Sequence, residues 1–286
     1  MLATFASGYQ RIIPTVADGT RPGAIGTAVT PKQNDIATAV YTELIDGALV
    51  DCDIWEIMLC VSAVQTAGAG RDLIVTLGYD PAAGTSYVDT DQNLLVGPAG
   101  LYVGAASNGG PVWFRLPRRI KAGTSIAIKG SVNSATLTAF NVAAYLFGKP
   151  RRPEMCYSGS YVDTLGADTA NSRGTIITPG AASEGAYTEI GTLTRPCRYI
   201  EWGYGMDDAA TANNVGHVDI AIGDATNKRI VVQDGYIFSA ANEALGKHPQ
   251  GAYVDGAVGD KFYARAQWGP NAVDANNSVS IYAVGG

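Results

Sequence analysis

The feature that most restricts what this chain can fold into is a series of blocks that occurs twice. Gly26-Thr27-Ala28-Val29-Thr30-Pro31 is followed by Tyr41-Thr42-Glu43-Leu44, by Cys52 and by Leu73-Ile74-Val75-Thr76-Leu77-Gly78. Further on, Gly174-Thr175-Ile176-Ile177-Thr178-Pro179 is followed by Tyr187-Thr188-Glu189-Ile190, by Cys197 and by Val218-Asp219-Ile220-Ala221-Ile222-Gly223. The same blocks in the same order mark a duplicated domain. Pairing the copies on the two cysteines sets Trp202 and Tyr204 against Ile57 and Leu59, and Glu201 against Glu56. Ile230-Val231-Val232 then matches Leu94-Leu95-Val96, Val258-Gly259-Asp260 matches Ala122-Gly123-Thr124, and the stretch 278–285 matches 141–148. Between the copies, Gly148-Lys149-Pro150-Arg151-Arg152-Pro153 reads as a short, stiff, extended connection. The expected division is an arm over 1–25, one domain over 26–148, a linker over 149–155 and a second domain over 156–286.

The blocks have the two-residue period of strands. Val40-Tyr41-Thr42-Glu43-Leu44 alternates and ends at an Asp46-Gly47 turn. Over 53–61 an extended chain puts Trp55, Ile57, Leu59 and Val61 on one face, the expected core. Its other face carries Cys52, Ile54, Glu56, Met58 and Cys60, apolar enough to pack as well. The stretch from Tyr79 to Asn93 is turn-rich, and the 35 glycines and 13 prolines are dispersed as turn punctuation. Helical periodicity is confined to one candidate turn, Ala240–Leu245. About eight short strands per half, with no helices between them, predict an all-β chain of two tandem antiparallel β-sandwich, jelly-roll-like domains.

Chemistry is harder to find. A net charge of −6 gives no case for nucleic acid, and no apolar run is long enough to cross a membrane. The first residues lack the basic and apolar regions of a signal peptide. Charged residues make up 16% of the chain, below the usual quarter, which fits a surface partly covered by neighbouring subunits, the favoured reading, or a plain stable sandwich. His217 and His248 have no nucleophile elbow, zinc-protease or phosphate-loop motif to work with. Glu43 with Glu189 and Glu56 with Glu201 are each split between the copies, so they read as structural rather than as a glycosidase pair. Asp89-Thr90-Asp91-Gln92-Asn93 opens like a calcium loop, but Leu94 and Gly100 stand where such a loop needs Gly and Glu, so a turn is expected. No enzymatic activity, cofactor or metal is expected.

The four cysteines, Cys52, Cys60, Cys156 and Cys197, lack zinc-ligand spacing and read as free thiols in a cytosolic product. Cys156, beside the linker, is the candidate for an intersubunit disulfide in oxidising surroundings. Arg115, Arg118, Arg119, Lys149, Arg151 and Arg152 are candidate contacts to a partner, or a solvated edge that discourages sheet-to-sheet pairing. Trp113, Trp202, Trp268 and the tyrosines are expected mainly in the core, with a sugar-binding platform as the alternative.

The segments Tyr187–Leu193, His217–Ala225, Leu116–Ala127 and Val142–Gly148 resemble small β-sandwich modules of tailed-bacteriophage virion proteins. The resemblance implies an accessory structural role at the head, neck or tail, with other virion proteins and further copies of the chain as partners, after assembly in the host cytoplasm. It brings no functional site with it. The competing reading is a pair of carbohydrate-binding modules acting in host adhesion.

Overall fold

The computed structural model describes residues 3–4, 10–12, 26–65, 73–96, 101–103, 112–132, 139–148, 159–167, 174–181, 183–206, 214–239, 251–268 and 277–285. Ala240–Leu245, His248, the loop 104–111, Lys149, Arg151, Arg152 and Cys156 lie outside them. Among the described residues there is no α-helix; one 3-10 turn, Gly47–Leu49, is capped by the Asp46 side chain.

Two arm strands come first, β1 (Ala3–Thr4) and β2 (Gln10–Ile12). Then follow β3 (Thr27–Val29), β4 (Lys32–Gln33), β5 (Thr42–Ile45), β6 (Glu56–Gln65), β7 (Leu73–Asp80), β8 (Val88–Leu95), β9 (Leu101–Val103), β10 (Val112–Leu116), β11 (Ser125–Val132) and β12 (Phe140–Phe147). The second half adds β13 (Tyr161–Leu165), β14 (Thr175–Ile177), β15 (Thr188–Thr192), β16 (Cys197–Met206), β17 (Asn214–Gly223), β18 (Lys228–Ser239), β19 (Ala252–Gly256), β20 (Lys261–Trp268) and β21 (Asn277–Gly285).

In the first half the strands pair antiparallel as β3-β12-β6-β10 and as β5-β11-β7-β8. In the second half they pair as β14-β21-β16-β19 and as β15-β20-β17-β18. Numbered from one to eight within a sandwich, both halves have sheets 1-8-3-6 and 2-7-4-5, the interleaved order of a jelly roll. Alternation fills each core. Ile57, Leu59 and Val61 of β6 lie beside Leu146, Ala144 and Val142 of β12 on the inner face of the first sandwich, and Trp202, Ile220 and Phe262 fill the second. Trp55 departs from expectation: it stands just before β6, half-buried under the Arg119 guanidinium, 5.1 Å from the ring centroid.

The backbone fixes which residues correspond. Gly26 and Gly174 have φ of 95° and 101° and lie against the Val142 and Val279 carbonyls. Val142 faces Val61 across β6, and Val279 faces Tyr204 across β16. Asn93 and Asp234 share left-handed φ of 56° and 50° at a bulge, and each N–H is accepted from the adjoining strand, by Thr76 Oγ1 at 3.2 Å and by Asp219 Oδ1 at 2.9 Å. Several pairings read from sequence therefore change. Trp202 and Tyr204 correspond to Leu59 and Val61, and Cys197 to Ile54 rather than Cys52. Glu201 corresponds to Met58, not Glu56. Leu94-Leu95-Val96 correspond to residues 235–237, not to Ile230-Val231-Val232. The cysteine error is a slip of two residues, which leaves inside and outside positions unchanged and is invisible to alternation.

Candidate functional site

The two sandwiches are not beads on a string. β13 pairs with β21 on one edge and with β8 on the other, Val162 opposite Asp91, so one sheet runs through both halves. Beside it, the Gly159 N–H donates to the Pro117 carbonyl at 2.7 Å and the Arg119 N–H to the Gly159 carbonyl at 2.6 Å. β21 then serves two cores. Val279, Ile281 and Ala283 face the second, while Tyr282 and Val284 enter the first. Tyr282 is fully buried, edge-on to Phe114 with centroids 5.4 Å apart, and its hydroxyl donates to the Leu95 carbonyl at 3.0 Å.

Charges are sealed into this joint. Arg118 Nε donates to Asp91 Oδ1 at 3.0 Å and Nη1 to the Arg119 carbonyl at 2.9 Å; Tyr79 Oη donates to Asp91 Oδ2 at 2.5 Å. Side-chain exposure is 7% for Arg118 and nil for Asp91, so a buried charge is tolerable only because each is paired and further bonded. Burial, with Asp91 beside it, pushes the Tyr79 phenol well above its ordinary range. Nearby, Arg115 Nε donates to Glu56 Oε1 at 2.5 Å, while its backbone N–H donates to Glu201 Oε2 of the second sandwich at 3.1 Å.

These positions revise the expected partner contacts. Arg118 is inside, because Asp91 of β8 supplies its counter-charge. Arg115 is half-buried and bonded to both sandwiches. Arg119 alone of the three is exposed, 3.2 Å from Asp53. Asp89 to Asn93 form a strand with a bulge, not a turn: Asp89 takes Lys129 at 3.0 Å and the Tyr41 hydroxyl, and Asp91 takes Arg118. None of Cys52, Cys60 and Cys197 is in a disulfide. Burial pushes Cys60 up to about 11 and Cys197 up to about 12.

A polar cleft of about 390 Å³ opens at the β8–β13 seam, lined among others by Asp89, Gln92, Asp163, Thr164, Thr194 and Arg195. Both of its carboxylates are engaged, Asp89 by Lys129 and Asp163 by Arg195.

A second cluster, missed in the sequence, sits on the outer face of β17 and β20. Glu184, His217, Asp219 and Asp234 bring one ligand-type atom each to within 4.8 Å of one another. Arg265 fills the charge demand there, paired with Asp219 at 2.7 Å and with Glu184. Burial, then the Asp219 carboxyl, raises Glu184. Burial would raise Asp219 too, but the Asp234 N–H and Arg265 outweigh it and hold Asp219 below the usual range. Arg265 lies over the Tyr187 ring at 4.6 Å, as Lys129 lies over the corresponding Tyr41 at 4.8 Å. The repeated Tyr-cation stack belongs to the frame of the sandwich, and the extra acids are particular to the second copy. Only the pairing of His217 and Asp219 on alternate positions of one strand could have signalled it.

No protein-family model matches this chain, and no curated protein matches it in sequence. Among solved structures, the tandem CBM22-1-CBM22-2 domain of Paenibacillus barcinonensis Xyn10C is 15% identical, covering 98% of this chain and 92% of that one with a TM-score of 0.28. A chain of broad bean stain virus is 13% identical over 91% and 88%, and one of infectious bursal disease virus Gx strain is 11% identical over 97% and 71%, both with TM-scores of 0.28. Superpositions this loose carry no argument about the chain. What its own strand order defines is the class, a tandem jelly-roll protein.

Proposed function

We propose that this chain is a non-enzymatic structural protein of a virion, of the tailed-bacteriophage kind its sequence resembles, binding other capsid, neck or tail subunits. The observation that supports this best is the joint. Two jelly rolls fused through one continuous sheet, with Tyr282 buried in the first core and Glu201 accepting the Arg115 N–H across the seam, make a stiff block that presents several faces at fixed spacing. Such a block suits multivalent attachment, because once one face is engaged the next contact is effectively intramolecular. Mass spectrometry and immuno-electron microscopy of purified particles test the reading. The protein is expected in intact virions at a stoichiometric copy number, and its absence overturns the proposal.

A carbohydrate-binding role has one observation in its favour. Trp113 is 42% exposed on the outer face of β10 and stacks on Tyr145 at 5.9 Å, the flat aromatic surface a sugar ring packs on. Glycan-array binding that disappears in Trp113→Ala would favour this reading over the first.

A further inference from the structure

The joint inside the chain has a second, incomplete copy on its outside. The plug of the joint is the outer face of β21, Tyr282 and Val284, flanked by β13. By the register above, Tyr282 corresponds to Tyr145 and Val284 to Phe147 on β12. The arm strand β2 pairs with β12 at Leu146 and Phe147, as β13 pairs with β21 at the matching Ala283 and Val284. The first sandwich thus carries its own plug: Tyr145 half-buried, stacked on exposed Trp113, with Met58 beside them. The socket of the joint is the edge of β8 together with Arg118. Its counterpart is β18, which among the described residues pairs only with β17, together with β19.

The residues that differ are the informative ones. Asp91, opposite Val162 in the joint, corresponds to Val232, and Arg118 corresponds to Val254. Glu201, which reaches Arg115, corresponds to Met58. Each of these three charged positions of the internal joint is apolar in the external copy. Leu95, 6% exposed under Tyr282, corresponds to Tyr236, 61% exposed, and Ile230 on the same strand is 42% exposed. The socket's buried ion pair and the plug's carboxylate, which accepts the Arg115 backbone N–H, have both been exchanged for apolar residues, so plug and socket change together, as two surfaces that meet each other require.

We propose that copies of this chain join head to tail by repeating the internal joint, the β12 face of one copy seating on the β18–β19 edge of the next. The two-residue β1 lies along β2 where β8 lies along β13, so the incoming β18 takes its place. The contact is heterologous, and it closes into a ring or runs as a filament according to the rotation per copy. This contact rests on the assembly part of the proposed function and deepens it, but it concerns the purified chain alone.

Native mass spectrometry and light scattering of the full chain test it. Multiples of 29.7 kDa above the dimer are expected, and Tyr236→Lys and Trp113→Glu should each return the protein to monomer with its circular dichroism intact. Orientation is tested by mixing. Trp113→Cys and Tyr236→Cys chains, oxidised together, should give a disulfide between positions 113 and 236 by peptide mapping that neither preparation yields alone. A monomeric wild type, oligomers indifferent to both charge variants, or 113–113 and 236–236 cross-links in place of the mixed one would overturn the proposal. A monomer found in virions would sink this inference and leave the structural role; a ring absent from virions would do the reverse.

Discussion

Tyr282 and Tyr145 occupy the same place in two copies of one fold, and they live in different worlds. Tyr282 is buried in a neighbouring core and bonded to Leu95, while Tyr145 is half-buried on an outer face. The difference teaches that the two copies of one position have been put to different uses: among the described residues, Tyr282 enters the core of the other sandwich and Tyr145 does not. Truncation should expose the inequality most sharply. Tyr282→Ala removes a large core side chain and should cost about 3–5 kcal/mol in denaturant unfolding. Tyr145→Ala, measured on the monomer, should cost about 1 kcal/mol, as half-exposed positions do. Equal losses would mean that the joint does not bury what the register assigns to it.

The charged pair gives the next effect. Asp91→Ala leaves Arg118 buried without its counter-charge and should cost about 3 kcal/mol. Adding Arg118→Val to an Asp91→Val chain reproduces the Val232 and Val254 of the second copy, and most of the loss should return. If the double variant is no better than the single one, the exchange of charge for apolar contact across the copies is not a viable swap.

How much of this could be read from sequence divides along the same line. The duplication, the all-β class and the jelly-roll order were legible because Gly26 with Gly174 and Gly123 with Gly259 hold left-handed turns at matching places, and because alternation is local. The register was not legible, since a two-residue slip keeps every apolar residue on its own face. The roles of Arg115 and Arg118 were hidden for another reason. A basic residue near a turn looks solvated until the acid that holds it arrives from another strand, here Asp91 from β8 for Arg118 and Glu56 from β6 for Arg115. The cluster around Arg265 is likewise assembled from Glu184, His217, Asp219 and Asp234, whose meeting only the sheet decides.

The shared bulge offers a finer break between the copies. Thr76 and Asp219 do the same work, each accepting the N–H of a left-handed residue, but Asp219 also holds Arg265. Thr76→Val should cost about 1 kcal/mol with no change in pH profile, the value of one neutral hydrogen bond. Asp219 is held below the usual carboxylate range, so the stability it contributes is present above the unfolded-state value and lost as pH falls through the lower folded one. Glu184, raised by burial, has the opposite sign: it favours the fold at low pH and loses that contribution as pH rises through its folded value. Asp219→Asn should therefore flatten the acid limb of a stability-versus-pH curve, and Thr76→Val should leave that limb where it is. A curve for Asp219→Asn that overlays the wild type would show that the bulge acceptor and the ion pair are not linked as drawn.

The smallest effect separates the cysteines. Cys197 takes the place of Ile54 and is fully buried, whereas Cys52 stands outside β6 and is half-buried. Burial lifts the Cys197 thiol to about 12 and Cys60 to about 11; Cys52 is raised by burial and then by Asp51. Only the thiolate reacts, so near neutral pH iodoacetamide should modify Cys52 first and leave Cys60 and Cys197 intact until the protein unfolds. Peptide mapping of a labelling time course reads this directly. Cys197 labelling as fast as Cys52 in the folded protein would restore the equivalence of the two cysteines that their matching place in the repeat suggests, and with it the slipped register.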